Sequence, residues 1–168
     1  MPVVPLDTVP DVDVETLLDL AFGQDRHGRT AYFVREGMDP IGALSIGWVE
    51  NGTLVGSVQC WPVCHHGDDG EDRPMIMVGP VAVHPDRQQQ GIGKALMRRA
   101  MELHDALPID EQAPMMMIGD APYYRQWGFT ADATQQWRLP GPFERDRLLS
   151  RWLGGDPLPK SGDIGPRG

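Results

Sequence analysis

Val14, Leu17, Leu18 and Ala21 recur at helical spacing behind Asp11 and Asp13, either of which can cap a first helix, and Gly23 then breaks the pattern. A second, short helix is expected from Thr30 to Arg35. Leu44, Ile46 and Trp48 alternate with smaller residues, Asn51-Gly52 supplies the positive φ angles of a two-residue hairpin turn, and Leu54 to Val63 forms the returning strand. The polar run His65 to Arg73 reads as a loop. Met75 to Val83 is an apolar strand interrupted at Gly79-Pro80, where a bulge is expected because proline cannot donate to a regular ladder. After Pro85-Asp86, the residues Ile92, Ala95, Leu96, Ala100 and Leu103 fall on one face of a helix ending near His104.

Downstream, Met115 to Ile118 is a short strand, and Pro122 suits the start of a brief helix over Tyr123 to Trp127. Phe129 to Leu139 reads as extended, Phe143 to Leu153 as an amphipathic terminal helix, and the Gly- and Pro-rich segment Gly154 to Gly168 as a mobile tail. Residues 1–153 are thus expected to form one domain and residues 154–168 to lie outside it. At 168 residues with 40% hydrophobic content, the chain can build a single sizeable core.

Charge and cysteine content narrow the function classes. A formal net charge of -9 argues against nucleic-acid binding, which requires a basic surface, and favours small cationic partners. No apolar run approaches the ~20 residues of a membrane span. Met1 to Asp7 lacks the regions of a secretory signal, so a cytoplasmic location is expected. Cys60 and Cys64 are too few for a disulfide framework and are expected to be reduced. Together with His65 and His66 they offer zinc-type ligands, but the spacing is not a recognised ligand pair and Pro62 interrupts it, so no metal is expected. Exposed Trp or Met in the C-terminal segment could support a homodimer.

The segment Gln88-Gln89-Gln90-Gly91-Ile92-Gly93-Lys94 lies between a buried strand and a helix, where unpaired N–H groups and the positive helix end suit a phosphate. Gly91 and Gly93 remove side chains that would hold an anion off the backbone. Arg87, Lys94, Arg98 and Arg99 make this stretch basic in an acidic chain. Lys94 and Arg98 share a helical face ~6 Å apart along the axis. A P-loop is disfavoured because Gln88 stands at its first glycine and Ala95 follows Lys94. A dinucleotide fingerprint fails at Leu96, where a third small residue belongs.

These residues resemble the signature of the GNAT superfamily, Gln/Arg-x-x-Gly-x-Gly/Ala after a central strand, here Gln88-x-x-Gly91-x-Gly93. Tyr123-Tyr124-Arg125-Gln126-Trp127-Gly128-Phe129 looks like that family's Tyr-x-x-x-Gly-Phe element. The resemblance implies an α/β fold with a mixed, mostly antiparallel splayed sheet flanked by helices on both sides. It implies acetyl-CoA as co-substrate, with its pantetheine arm on Val81, Ala82 and Val83. The pyrophosphate would lie on Gln88, Gln89, Gln90, Gly91, Ile92, Gly93 and Lys94.

By the same resemblance Tyr124 contacts the cofactor and is the general acid. Acylation of an amine by a thioester needs a neutral amine, an oxyanion donor and a proton for the leaving thiolate. A phenol can deliver that proton, and an N–H of the bulged strand near Val81 to Val83 can donate to the oxyanion. Met75 to Val83 contains no carboxylate, which leaves Glu71, Asp72, Asp120 and His84 as candidate bases. The expected activity is acetyl transfer to an amine of a small molecule or peptide. The alternative is a non-catalytic acyl-CoA-binding or regulatory module, which would keep the turn without needing Tyr124.

Overall fold

A computed structural model describes residues 2–168. Its elements are β1 (Val3–Pro5), α1 (Asp11–Phe22), α2 (Thr30–Val34), β2 (Ile46–Glu50), β3 (Thr53–Gly67) and β4 (Asp72–Val83), then α3 (Ile92–Asp105), β5 (Met115–Ile118), α4 (Ala121–Tyr124), β6 (Gln136–Arg138), β7 (Leu148–Arg151) and β8 (Ser161–Pro166). The strands form an open, mostly antiparallel sheet in the order β1-β2-β3-β4-β5-β7, with β8 pairing β3 and β6. This is the mixed α/β architecture expected from the sequence. The chain divides into two compact units: Met1–Gly28, Pro40–Cys60 and Gly79–Pro108 in the first, and Arg29–Asp39, Trp61–Val78 and Ile109–Gly168 in the second.

In the first unit, α1 buries Val14, Leu17 and Leu18 against Leu6, Leu54 and Ala82. Its N-cap is Pro10, and Asp11 and Asp13 instead occupy the first turn, where carboxylates favour the positive helix end. Gly23 closes the helix at φ 91°, a conformation glycine adopts without penalty. Arg26 is 2% exposed and reaches back to Glu15 and to Asp19, 3.0 Å away, pinning the following turn to the helix. Asn51 (φ 52°) and Gly52 (φ 77°) make the expected hairpin turn between β2 and β3. A register shift at Trp48/Val49 places a bulge next to it. α3 lies close against β3, since a Cβ on Gly56 would come within 2.7 Å of Ile92 and 3.0 Å of Leu96.

The second unit is centred on Val34, Trp61, Val63, Met75, Met77, Met116, Trp137, Leu148 and Ile164. β4 and β5 run parallel, with Ile76 opposite Met115 and Met77 opposite Met116. β5 continues antiparallel to β7, from Met115 opposite Arg151 to Ile118 opposite Leu148.

Three expectations are corrected here. The run His65 to Arg73 is not one loop, because β3 extends through His65 and His66 to Gly67 and β4 already begins at Asp72. Phe143 to Leu153 is not a helix. Leu148 and Leu149 are both fully buried because β7 is covered on both faces, a pattern that does not alternate and so reads equally as helix. Finally, the segment 154–168 is not a tail outside the fold. Its β8 pairs Val63↔Pro166 through Gly67↔Gly162 with β3 and also pairs β6, and Ile164 is 2% exposed in the core. Arg167 adds donations to the carbonyls of Val63 (3.1 Å) and Met75 (2.6 Å), and Trp137 Nε1 donates to the Pro159 carbonyl at 2.8 Å.

Candidate active site

The glycine-lined bend belongs to the first unit. β4 ends at Val83, and a 3-10 turn over Pro85–Arg87 follows, capped by His84, whose Nδ1 accepts from the Asp86 N–H at 3.1 Å. Gln88 is extended, and Gln89 then takes φ 65°. Gly91 forms the N-cap of α3 in the left-handed region (φ 83°, ψ 5°), and no side chain caps the helix. The first-turn amides of Ile92, Gly93 and Lys94 have no intrahelical acceptor, as at any helix start, and here no side chain supplies one.

A Cβ on Gly91 would meet nothing within 4 Å, so the face over the bend is open. Gly93 has a different role: its Cβ would stand 3.6 Å from Val83 Cγ2, where the helix passes the strand end. Ile92 is buried at 3% exposure and anchors the turn to the core, while Gln88, Gln89, Gln90 and Lys94 are exposed. Val81 and Val83 are half-buried and Ala82 is buried. Gly79 takes φ 126° within β4, which continues as one strand to Val83.

The basic residues do not act alike. Arg87 is engaged by Glu50 and donates to Gln90 Oε1 at 2.9 Å, which props the bend rather than offering a free cation. Arg99 pairs with Glu102 at 3.3 Å. Among the described residues neither Lys94 nor Arg98 makes an ion pair, and both are exposed on α3. The sequence places Lys94 and Arg98 on one helical face but leaves Arg87 undistinguished from them. Only the Glu50 partner, distant along the chain, distinguishes Arg87.

Tyr124 belongs to the second unit, at the end of α4, where its N–H donates to the Asp120 carbonyl at 2.9 Å. Its ring packs edge-on to Tyr123 (4.9 Å between centroids) and Phe129 (6.5 Å), with Trp127 tilted at 5.9 Å. Gly119 is what admits the ring, since a Cβ there would fall 2.7 Å from Tyr124 Cε2. The Tyr-x-x-x-Gly-Phe spacing has a local cause. Gly128 (φ 92°) reverses the chain in the left-handed region, Phe129 N–H returns to the Tyr124 carbonyl, and the Phe129 ring is fully buried. Burial, with smaller contributions from Tyr123 and Asp120, pushes the Tyr124 phenol up to about 12 against a weaker opposing effect of Arg147. The group therefore remains protonated throughout the physiological range.

Of the four candidate bases, Glu71 is held by Arg73 at 3.0 Å and Asp72 by His66 at 2.9 Å. His84 is occupied in capping its own turn. Asp120 is exposed and stands in the same turn as Tyr124, whose titration it influences. Of the tryptophans considered for a dimer surface, Trp137 is fully buried and Trp152 is half-buried, its Nε1 donating to the Asp156 carbonyl at 2.7 Å. Among the described residues no helix is long and apolar enough to cross a membrane.

The four residues of zinc-ligand type, for which the sequence predicts no metal, do not group together among the described residues. Cys60 is fully buried in the first unit, its thiol pushed up to about 12 by burial. His65 is fully buried against Trp137, at 5.2 Å between ring centroids. Cys64 and His66 come together instead with Asp72, a residue that sequence reasoning treated as a loop charge. Strand alternation at positions 64 and 66 was the signal available for that pairing.

The family model described as "Acetyltransferase (GNAT) domain" matches residues 12–131. Among solved structures, the chain resembles the Escherichia coli GNAT family N-acetyltransferase YhbS in complex with CoA, at 21% identity and a TM-score of 0.68 over 98% of this chain and 86% of that one. It also resembles a Brucella melitensis GNAT family acetyltransferase in complex with acetyl-CoA, at 23% identity and a TM-score of 0.62 over 98% of this chain and 92% of that one. Arabidopsis thaliana Naa50, bound to a bisubstrate analogue, aligns at 17% identity and a TM-score of 0.53 over 86% of this chain and 95% of that one. These likenesses establish the fold. No curated protein sequence matches the chain.

Proposed function

The chain belongs to the GNAT acetyltransferase family, and from that premise we propose that it is an N-acetyltransferase that moves the acetyl group of acetyl-CoA to an amine of a small molecule or peptide by direct attack in a ternary complex. The observation that carries this reading is the uncapped, glycine-lined start of α3, open over Gly91 and flanked by Lys94 and Arg98, which make no ion pair among the described residues. Such a helix end binds a diphosphate through its N–H groups and its positive pole. Gln88, Gln89, Gln90, Gly91, Ile92, Gly93 and Lys94 take the pyrophosphate of acetyl-CoA, and Val81, Ala82 and Val83 present backbone groups to its pantetheine arm.

Acetyl-CoA supplies the activated thioester. The amine nitrogen forms the new C–N bond, the C–S bond breaks, and Tyr124 donates its phenolic proton to the departing thiolate. The oxyanion accepts from an N–H of the irregular stretch of β4. Because Tyr124 is a weak acid at about 12, its proton is retained until the thiolate develops, and it recovers that proton after turnover from the amine or from solvent.

Calorimetry with CoA tests the anchor directly. The native protein is expected to bind CoA, and Gly91→Val, which forces a branched side chain into φ 83° and over the open face, should weaken binding at least tenfold. A folded native sample that takes up no CoA overturns the reading. Binding without thiol release across a broad set of amines would favour the non-catalytic module.

A further inference from the structure

We infer that Cys64, His66 and Asp72 form a zinc site at the turn end of the β3–β4 hairpin, with water completing the coordination. Cys64 and His66 are two residues apart on β3 and therefore project from the same face. The hairpin closes through Gly67 N–H to the Glu71 carbonyl at 2.8 Å, which brings Asp72 at the head of β4 alongside them. The Sγ, imidazole and carboxylate donor atoms all lie within 4.8 Å of one another.

Two features favour a ligand set over alternatives. Cys64 Sγ lies 3.8 Å from His66 Nδ1, and Asp72 Oδ1 lies 2.9 Å from that same nitrogen. A thiol–imidazole–carboxylate relay uses the two ring nitrogens for its two neighbours, whereas here both neighbours converge on one, as donors around a common ion do. Bond lengths of ~2.0–2.3 Å in a tetrahedral zinc site place donor atoms roughly 3.4–3.6 Å apart. The thiol–imidazole distance is already close to that. Asp72 must draw back from the imidazole by roughly half an ångström, and its side chain, 70% exposed, is free to do so.

The donor chemistry selects the ion. One thiolate and one carboxylate neutralise a divalent charge, and a mixed sulfur, nitrogen and oxygen set suits zinc, whereas magnesium, calcium and manganese prefer all-oxygen shells. Access is available because His66 is 42% exposed in its side chain while Cys64 sits 5% exposed beneath it. The site also lies where β8 joins the sheet, with Cys64 opposite Gly165 and His66 opposite Asp163. Gly165 leaves the imidazole room, as a Cβ there would stay 3.9 Å from His66 Nε2. Zinc at this point would tie β3 and β4 together beside the last strand, a role independent of acyl transfer.

Cobalt titration of metal-free protein tests the assignment. One equivalent of Co2+ should produce thiolate-to-cobalt charge-transfer absorption that zinc abolishes, and Cys64→Ser should remove it. His66→Gln and Asp72→Asn alter exposed side chains and should leave the fold intact by circular dichroism while weakening zinc binding at least tenfold. Absence of the thiolate band in folded native protein overturns the proposal. So does unchanged zinc affinity in both exposed-site variants, and the His66–Asp72 contact is then an ordinary hydrogen bond.

Discussion

Tyr124 and His65 show how burial sets the chemistry of single residues. Removing the phenolic proton in Tyr124→Phe keeps the ring packed against Tyr123 and Phe129, so the fold and CoA affinity should persist while kcat falls by ~10²–10⁴. Since burial pushes the Tyr124 phenol up to about 12, the rate should not decline through deprotonation of this group between pH 8 and pH 10. A basic limb near pH 10 that Tyr124→Phe abolishes would contradict that assignment. His65 is fully buried with both ring nitrogens unpartnered among the described residues, and burial, reinforced by Arg73, holds its pKa below the ordinary 6.5 despite the opposing Asp68 and Asp69. The unfolded chain takes up a proton at ~6.5 while the native state resists it. Stability from this group is therefore full above that pH and lost as pH falls below it. Urea midpoints should drop from pH 7.5 to pH 5.5, and His65→Phe, if folded, should flatten that slope.

At the scale of elements, the last strand decides more than its composition indicates. β8 contains glycine, aspartate and proline yet lies between β3 and β6, and Ile164 is part of the second unit's core. Ile164→Ala should cost ~2–5 kcal/mol, read as a lower denaturant midpoint. Removal of residues 154–168 should leave no cooperatively folded protein, because β3 and β6 would both lose a pairing partner and Trp137 its acceptor at Pro159. A soluble truncation with native thermal behaviour would show that β8 is dispensable. α3 is the opposite case. Its apolar face, its glycine N-cap and its cations are all local, so the whole element was legible from the spacing of residues 91–104.

For the molecule as a whole, the acidic surface and the single basic bend make opposite demands, and ligand binding should reveal which dominates. CoA at a hundred times its Kd should raise the unfolding free energy by ~2.7 kcal/mol, whereas ATP, which lacks the pantetheine arm, should do so only at much higher concentration. Equal thermal shifts with both would point to a nucleotide-binding protein using the same turn. The sequence by itself determined the elements whose causes are local: α1, the Asn51-Gly52 hairpin, the Gln88–Lys94 bend, α3 and the Tyr124–Phe129 turn each follow from spacing, a positive φ or a helix end. Only the tertiary structure decided that β7 and β8 are strands, that Arg87 serves Glu50, that His65 is fully buried, and that Cys64, His66 and Asp72 meet. Each of those outcomes depends on a partner far along the chain or across a hairpin, and a pattern of neighbouring residues carries no record of which distant surface will cover it.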